Sequence, residues 1–314
     1  MEGVILTVTL NAAVDKTFTI PGFSVDRVYR PTRWRITAGG KGINVARVYR
    51  ILGGSPLATG FLGGINGRLI LHSLQQEGIP AEFVRVAEEA RECIAIIDPD
   101  NRTQTEINEV GPTVRPSEVK RFLLKFEELL GVYRFQWIVL SGSIPPGVPP
   151  ATYAQLINKA KSHGVDCVLD TSGLPLTMGI EAGPWMVKPN LYELEAWCGR
   201  NLRSLDEVLE AGESARKKGI EVVAVTMGER GAIVMSRDGT WRATAPPVEF
   251  VSAVGSGDAF VAAFLWSVEQ GTGVAEALRA GVAAGSANAA TFGAGFIERS
   301  EVERLAALVQ LERL

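Results

Sequence analysis

Histidine is the scarcest catalytic residue type in this chain, with His72 and His163 alone among 314 residues. Both fall near the ends of predicted helices among polar neighbours, where a surface imidazole is the ordinary outcome. A histidine-ligated metal centre or a Ser-His-Asp triad is therefore not expected. Acid–base work must fall to a carboxylate or a lysine. Cysteine is nearly as sparse. Cys93, Cys167 and Cys198 lie far apart, make no metal-ligand spacing and are odd in number. No disulfide framework is expected, and a reducing cytoplasm fits. No apolar run reaches the ~18 residues of a membrane span. The start, Met1-Glu2-Gly3-Val4-Ile5-Leu6, lacks the basic segment and long apolar stretch of a secretory leader. Charge of one sign is missing too. The net charge is −3, and lysines and arginines are scattered rather than blocked. Neither a nucleic acid nor a membrane is an expected partner.

What is present is a soluble-protein composition, 46% hydrophobic and 21% charged, in a chain long enough for one large core. Buried strands are predicted at Val4–Leu10, Leu57–Phe61, Trp137–Leu140, Cys167–Leu169, Trp185–Val187, Val222–Thr226 and Ala232–Met235. Helical spacing marks Ile43–Leu52, Ser117–Leu130, Thr152–His163 and Leu205–Lys218, and an alanine-rich pair of helices runs from Gly257 to Ala290. This alternation predicts an α/β fold, a mostly parallel sheet covered by helices on both faces. Residues 17–37 and 83–107 break the rhythm with short alternating strands. They read as a small β-lid that could exclude water from a site. No repeat or linker is visible, so one domain, residues 1–314, carries the lid.

Several motifs could carry chemistry. Gly39-Gly40-Lys41-Gly42 precedes a helix, whose free N–H groups can approach an anion. Lys41 adds a cation, and Asn44 can meet a hydroxyl. An ordinary glycine turn reads equally well. Gly255-Ser256-Gly257-Asp258 opens another helix. Its amides could form an anion hole, with Asp258 beside them to accept a proton, an arrangement that suits phosphoryl transfer. A turn with a dipole-favoured aspartate is the plainer alternative. In Lys188-Pro189-Asn190-Leu191-Tyr192-Glu193, Asn190 and Glu193 share a helical face that could hold Mg²⁺ through water, or simply cap the helix. Thr226 to Gly231 could pass a nucleotide or be a hairpin, and Asp15 beyond the first strand could hold sugar hydroxyls or serve a turn. No Walker A motif and no G-x-G-x-x-G after the first strand are present.

Thr7 to Asn11 with Asp15, Ala38 to Ala46, Arg91 to Ile96, Ser141 to Gly147, Asp170 to Gly173, Val187 to Glu193 and Val254 to Asp258 occur in order. On these residues the chain resembles the ribokinase-like (PfkB) carbohydrate kinases nearly end to end, closest to the phosphofructokinase and tagatose-6-phosphate kinase branch. The resemblance implies a three-layer α/β/α fold with a β-lid, a homodimer through that lid, and ATP and Mg²⁺ as cofactors, with a monovalent cation as a further candidate. It implies Asp258 as catalytic base and Gly255, Ser256 and Gly257 as anion hole. Lys188, Asn190, Thr226, Gly228, Gly231 and Asn288 would meet ATP, together with Gly255 and Gly257. Asn190 and Glu193 would lie near the metal. Asp15, Gly39, Gly40, Lys41, Asn44 and Ser141 would meet the sugar, and Arg91 its phosphate, with Arg27 and Arg30 as helpers. Ala253 and Ser256 depart from the usual pattern of this turn, and Asn11-Ala12-Ala13 lacks a common proline. The acceptor expected from Gly-Gly-Lys-Gly and from Thr105 to Pro112 is fructose 1-phosphate, ahead of tagatose 6-phosphate and fructose 6-phosphate. A silent sugar-phosphate sensor on the same fold is the reading from another class.

Overall fold

A computed structural model of the chain describes residues 4–314, so residues 1–3 of the start read above lie outside it. The elements run β1 (Val4–Thr9), β2 (Ala13–Thr19), β3 (Arg33–Gly39), α1 (Lys41–Ile51), β4 (Ser55–Gly63), α2 (Gly64–Gln76) and β5 (Ala81–Val86). Next come β6 (Arg91–Asp98), β7 (Thr103–Asn108), α3 (Pro116–Val132), β8 (Phe135–Ser141), α4 (Thr152–Ser162), β9 (Asp166–Asp170), α5 (Gly173–Glu181), β10 (Met186–Val187) and α6 (Leu191–Cys198). The last are α7 (Leu205–Arg216), β11 (Val222–Thr226), β12 (Ala232–Ser236), β13 (Gly239–Thr244), α8 (Ser256–Glu269), α9 (Val274–Ala289), α10 (Arg299–Ala306) and β14 (Gln310–Arg313).

The main sheet has ten strands in the order β14-β13-β12-β11-β10-β9-β8-β1-β4-β5. From β11 to β5 neighbouring strands are parallel, and β12, β13 and β14 add an antiparallel edge. Central strands such as β8 (Phe-Gln-Trp-Ile-Val-Leu-Ser) are apolar on both faces because helices cover both. One face packs Phe122, Phe126, Tyr153 and Leu156 of α3 and α4 against Leu6, Val8, Ile138 and Leu140. The other packs Val45, Val48, Phe260, Phe264, Leu278 and Ala283 of α1, α8 and α9 against Ile5, Val139, Val168 and Val222. The three-layer α/β architecture is thus as expected.

A second sheet, in the order β3-β2-β6-β7, forms the lid. Its boundaries differ from expectation at both segments. β2 starts at Ala13, so Asp15 is a lid-strand residue paired with Thr37 and Cys93, not a turn residue. The segment from Phe83 to Val86 belongs to β5, which pairs in parallel with β4 at the edge of the main sheet. Val84 and Val86 are buried against Phe61 and its neighbours, while Glu82 and Arg85 face solvent. A half-exposed edge strand shows the same alternation as a lid strand. The lid root is fixed by Ala12, Val14 and Ala38, which pack on Ile43, Ala46, Leu62 and Ile70.

Candidate active site

Parallel register places a row of polar residues across the carboxyl ends of the central strands. Thr9 of β1 is level with Ser141 of β8, Ser141 is level with Asp170 of β9, and Lys188 follows Val187, which is level with Leu169. The chain leaves β1 in one direction, towards β4 and β5, and returns on the other side at β8. Crevices of open α/β sheets lie at such reversals.

The helices α1 and α8 start in this crevice. Glycine is required ahead of α1 because side chains of β1 and β2 lie against the backbone there. A Cβ on Gly40, whose φ is +107°, would lie 2.7 Å from Thr9 Cγ2, and one on Gly39 would lie 2.0 Å from Asp15 Cγ. Gly255, with φ +85°, turns the chain into α8. The Ser256 N–H donates to the Ala253 carbonyl, so it is not free for an anion. The Gly257 and Asp258 N–H groups find no protein acceptor among the described residues, which leaves them available to an anion. Asn288 also differs from expectation. It is buried, donates to Val254 O and Ser256 Oγ and accepts from Gly295 N–H, so it braces the turn from behind.

Asp258 is buried in the first turn of α8 and accepts a 2.8 Å hydrogen bond from Asn44 Nδ2. Burial pushes its carboxyl up to about 6, with Asp170 adding to the rise, while Lys41, Asn44 and Lys188 oppose it. Asp170 is fully buried and joins two cations: Lys41 Nζ lies 2.7 Å from Oδ1 and Lys188 Nζ 3.3 Å from Oδ2. Burial alone would raise the Asp170 carboxyl; Lys188 and Lys41 more than offset this and hold it below its usual range. Burial would lower the Lys41 ammonium, but Asp170, Glu193 and Asp258 hold it above its usual range. A Cβ on Gly257 would lie 3.2 Å from Lys188 Nζ, so this ammonium sits beside the first turn of α8.

Asn190 and Glu193 meet in a reciprocal cap of α6, each accepting from the other's N–H at 2.8 Å. The Asn190 Oδ1 and Glu193 Oε2 atoms each accept one bond in this cap, the alternative that their spacing also offers. Glu193 Oε1 remains outside the cap, 3.8 Å from Lys41 Nζ. Among the described residues no group of three His, Cys, Asp or Glu side chains could ligate a metal directly. Thr226 bridges Asn190 at the next strand end, and Gly228 and Gly231 bound the single turn that follows.

The lid supplies the other wall. Burial pushes the Asp15 carboxyl up to about 7, with Arg47 and Arg91 opposing and Asp258 and Glu106 adding. Arg91 donates from Nε to Asn11 O and from Nη1 to Glu109 O, each at 3.1 Å, which anchors it at the lid root. Arg27 and Arg30 are exposed in the loop between β2 and β3. That loop lies at the Thr19–Arg33 end of the hairpin, and the site lies at the Ala13–Gly39 end. At about 3.3 Å per residue the separation is roughly 20 Å, so one chain does not bring these two arginines to the site. His72 and His163 are exposed, as expected.

Two contributors were not singled out from the sequence. Asp170 ends a buried strand beside the crevice, a position that marks ligand sites in such sheets. Arg47 is buried and donates to Asn44 Oδ1 at 3.0 Å. Its only sequence signal is a charge three residues after Asn44 on a face that is otherwise apolar.

A buried carboxylate beside free helix-terminal amides, with lysines below and a lid above, defines a phosphotransferase acting on a sugar hydroxyl. Residues 6–300 match the model of the pfkB family carbohydrate kinases. The chain belongs to that family. It is 37% identical over 275 residues to a 1-phosphofructokinase of Rhodobacter capsulatus, covering 88% of this chain and 87% of that protein. A Thermotoga maritima structure described as a possible 1-phosphofructokinase superposes with TM-score 0.91 at 31% identity, covering 99% of each chain. Phosphofructokinase-2 of Escherichia coli, solved with potassium, superposes with TM-score 0.89 at 29% identity, covering 98% of this chain and 99% of that one.

Proposed function

We propose that the chain transfers the γ-phosphoryl group of ATP to fructose 1-phosphate, giving fructose 1,6-bisphosphate. The observation that carries this reading is Asp258, buried, held by Asn44 and adjacent to the free Gly257 and Asp258 amides. With its carboxyl near 6, Asp258 is ionised at neutral pH and basic enough to take the acceptor proton. The amides would hold charge that develops on the phosphoryl oxygens, and Lys41 and Lys188 would neutralise it from below. Asp15, Gly39, Gly40 and Asn44 would orient the sugar. Ser141 Oγ and Thr9 Oγ1 are buried without protein partners, which suits a polar ligand at that wall. Arg91 would bind the sugar phosphate. Thr226, Gly228 and Gly231 would line the nucleotide site.

The chemistry requires a divalent metal. Hard oxygen donors suit Mg²⁺, and Glu193 Oε1 is free of the helix cap. Asn190 and Glu193 would hold the ion through its water shell. When bound, it would draw charge from the phosphates. A monovalent cation is proposed near the Gly255 turn, since a relative of this fold was solved with potassium.

Residues 1–314 would act as one kinase unit whose lid docks on a second copy. Trp34, Ile36 and Ile107 support that homodimer: they are 63%, 43% and 57% exposed on one lid face. Sedimentation showing a monomer would remove it. No helix among the described residues is long and apolar enough to cross a membrane, and work in the cytoplasm is proposed.

Coupled assays with fructose 1-phosphate, tagatose 6-phosphate and fructose 6-phosphate test the acceptor. The highest kcat/KM is expected for fructose 1-phosphate. A higher value for an unphosphorylated sugar would overturn the phosphosugar reading.

A further inference from the structure

Arg47 lies behind Asp258 rather than beside the ligands, yet it is the most heavily bonded side chain of the region. The residue is 2% exposed. Nε and Nη2 engage both Glu77 oxygens, at 2.6 and 3.1 Å. Nη2 also donates to Ala38 O at 2.6 Å, and Nη1 to Ala294 O and Asn44 Oδ1, each at 3.0 Å. The ring of Phe296 stacks against Arg47 on one hand and Arg35 of the lid on the other, both at 4.5 Å. One group therefore ties α1, the end of α2, the root of the lid and the loop that packs on Gly255.

Asn44 sits between Arg47 and Asp258, and its amide can be turned either way. Arg47 can only donate, and an ionised Asp258 can only accept. A single orientation satisfies both, with Oδ1 towards Arg47 and Nδ2 towards Asp258 Oδ2. We propose that Arg47, anchored by Glu77, is a positioning residue: it locks the Asn44 amide so that Asn44 Nδ2 occupies Oδ2 of Asp258 and leaves Oδ1 as the oxygen that takes the acceptor proton. This rests on the assignment of Asp258 as the base.

A guanidinium is suited to the task because its planar fork reaches several acceptors at once, which an ammonium cannot do. The groups around it are accounted for. Among the described residues Glu77 is the only carboxylate bonded to it, Asp15 lies nearby, Asp258 is reached through Asn44, and Arg35 is the adjacent cation. Asn44 stabilises the ionised form of Asp258. Releasing its amide therefore moves the acid limb of the pH–rate profile up, a change that loss of packing alone would not produce.

The test compares Arg47→Lys with the paired variant Arg47→Met/Glu77→Leu, which removes both charges so that no buried carboxylate is left alone. Each is assayed for kcat, KM and the pH dependence of kcat at saturating acceptor, so that protonation of Asp15, whose carboxyl Arg47 also lowers, does not enter the profile. A slightly misplaced base costs about tenfold to a hundredfold in kcat. That loss is expected in both variants, with an acid limb displaced to higher pH and little change in KM for ATP. Adding Asn44→Ala to Arg47→Lys should cost no more than Asn44→Ala alone, because both act through one amide. Wild-type kcat and an unmoved acid limb in a folded variant would overturn the proposal, as would multiplicative losses in the double variant. Asp258→Ala separates the two claims. If it keeps turnover, the base assignment fails and takes this inference with it; if it abolishes turnover while the Arg47 variants match wild type, the inference alone fails.

Discussion

Replacing Asp170 with Asn tests the electrostatic core of the site. The substitution keeps the volume and removes the charge that Lys41 and Lys188 share. Lys41 is partly exposed and can turn to solvent. Lys188 cannot, since its side chain is 3% exposed and the Asp170 carboxylate is its only carboxylate partner among the described residues. Breaking a buried pair from one side costs about 3–5 kcal/mol, because an uncompensated charge stays behind. At about 2.1 cal/mol/K per residue, the unfolding entropy of this 314-residue chain is about 0.66 kcal/mol/K. The expected fall in Tm is therefore about 5–8 °C. The folded-state carboxyl of Asp170 is lowered from 3.8, so its contribution is full above that value and fades as the pH falls through the folded value. The deficit should be constant around neutrality and shrink in acid. Catalysis should shift as well. Asp170 raises the Asp258 carboxyl, so its loss should move the acid limb of kcat/KM down. Calorimetry of the two proteins with a pH–rate profile reads all three effects. A Tm within about 2 °C of wild type at neutral pH would show that Lys188 is not held by this pair.

As the proposed base, Asp258 works only when ionised, so kcat at saturating sugar should rise with pH through a midpoint near 6, and Asp258→Asn should abolish that rise together with most turnover. Burial pushes Asp15 up to about 7, so KM for the sugar should increase as the pH falls below 7 while KM for ATP stays level. A sugar KM that is flat between 6 and 8 would remove Asp15 from the acceptor site. Gly39→Ala places a Cβ 2.0 Å from Asp15 Cγ and must displace that carboxyl. The sugar KM should increase about tenfold or more, and an unchanged value in steady-state assays would refute the contact.

The parts of the molecule that were legible from the sequence are those where burial on both sides writes itself as an unbroken apolar run. Val222–Thr226 was read to the residue, because β11 has helices on both faces and needs no partner to be recognised. The antiparallel edge was not legible in full. β13 (Gly-Thr-Trp-Arg-Ala-Thr) and β14 (Gln-Leu-Glu-Arg) mix polar and apolar residues, and their pairing with each other depends on segments about seventy residues apart. The same holds inside the site. Asp258, Asn44 and Lys41 stood out because glycines beside them announce helix starts that a ligand can approach. Arg47 and Asp170 carry only weak local signals, a charge on an apolar helix face and a carboxylate at a strand end. Their roles come from what the ends of α2, β3 and β10 bring to them: Glu77, Ala38 and Lys188, each on a different element. The metal pair shows a different ambiguity. Asn190 and Glu193 have the spacing of a shared helical face, and that same spacing makes a capping box, so pattern alone could not say where their oxygens are spent. Local chemistry thus marked the groups proposed to touch the ligands, while the groups that hold those side chains in place required the tertiary fold.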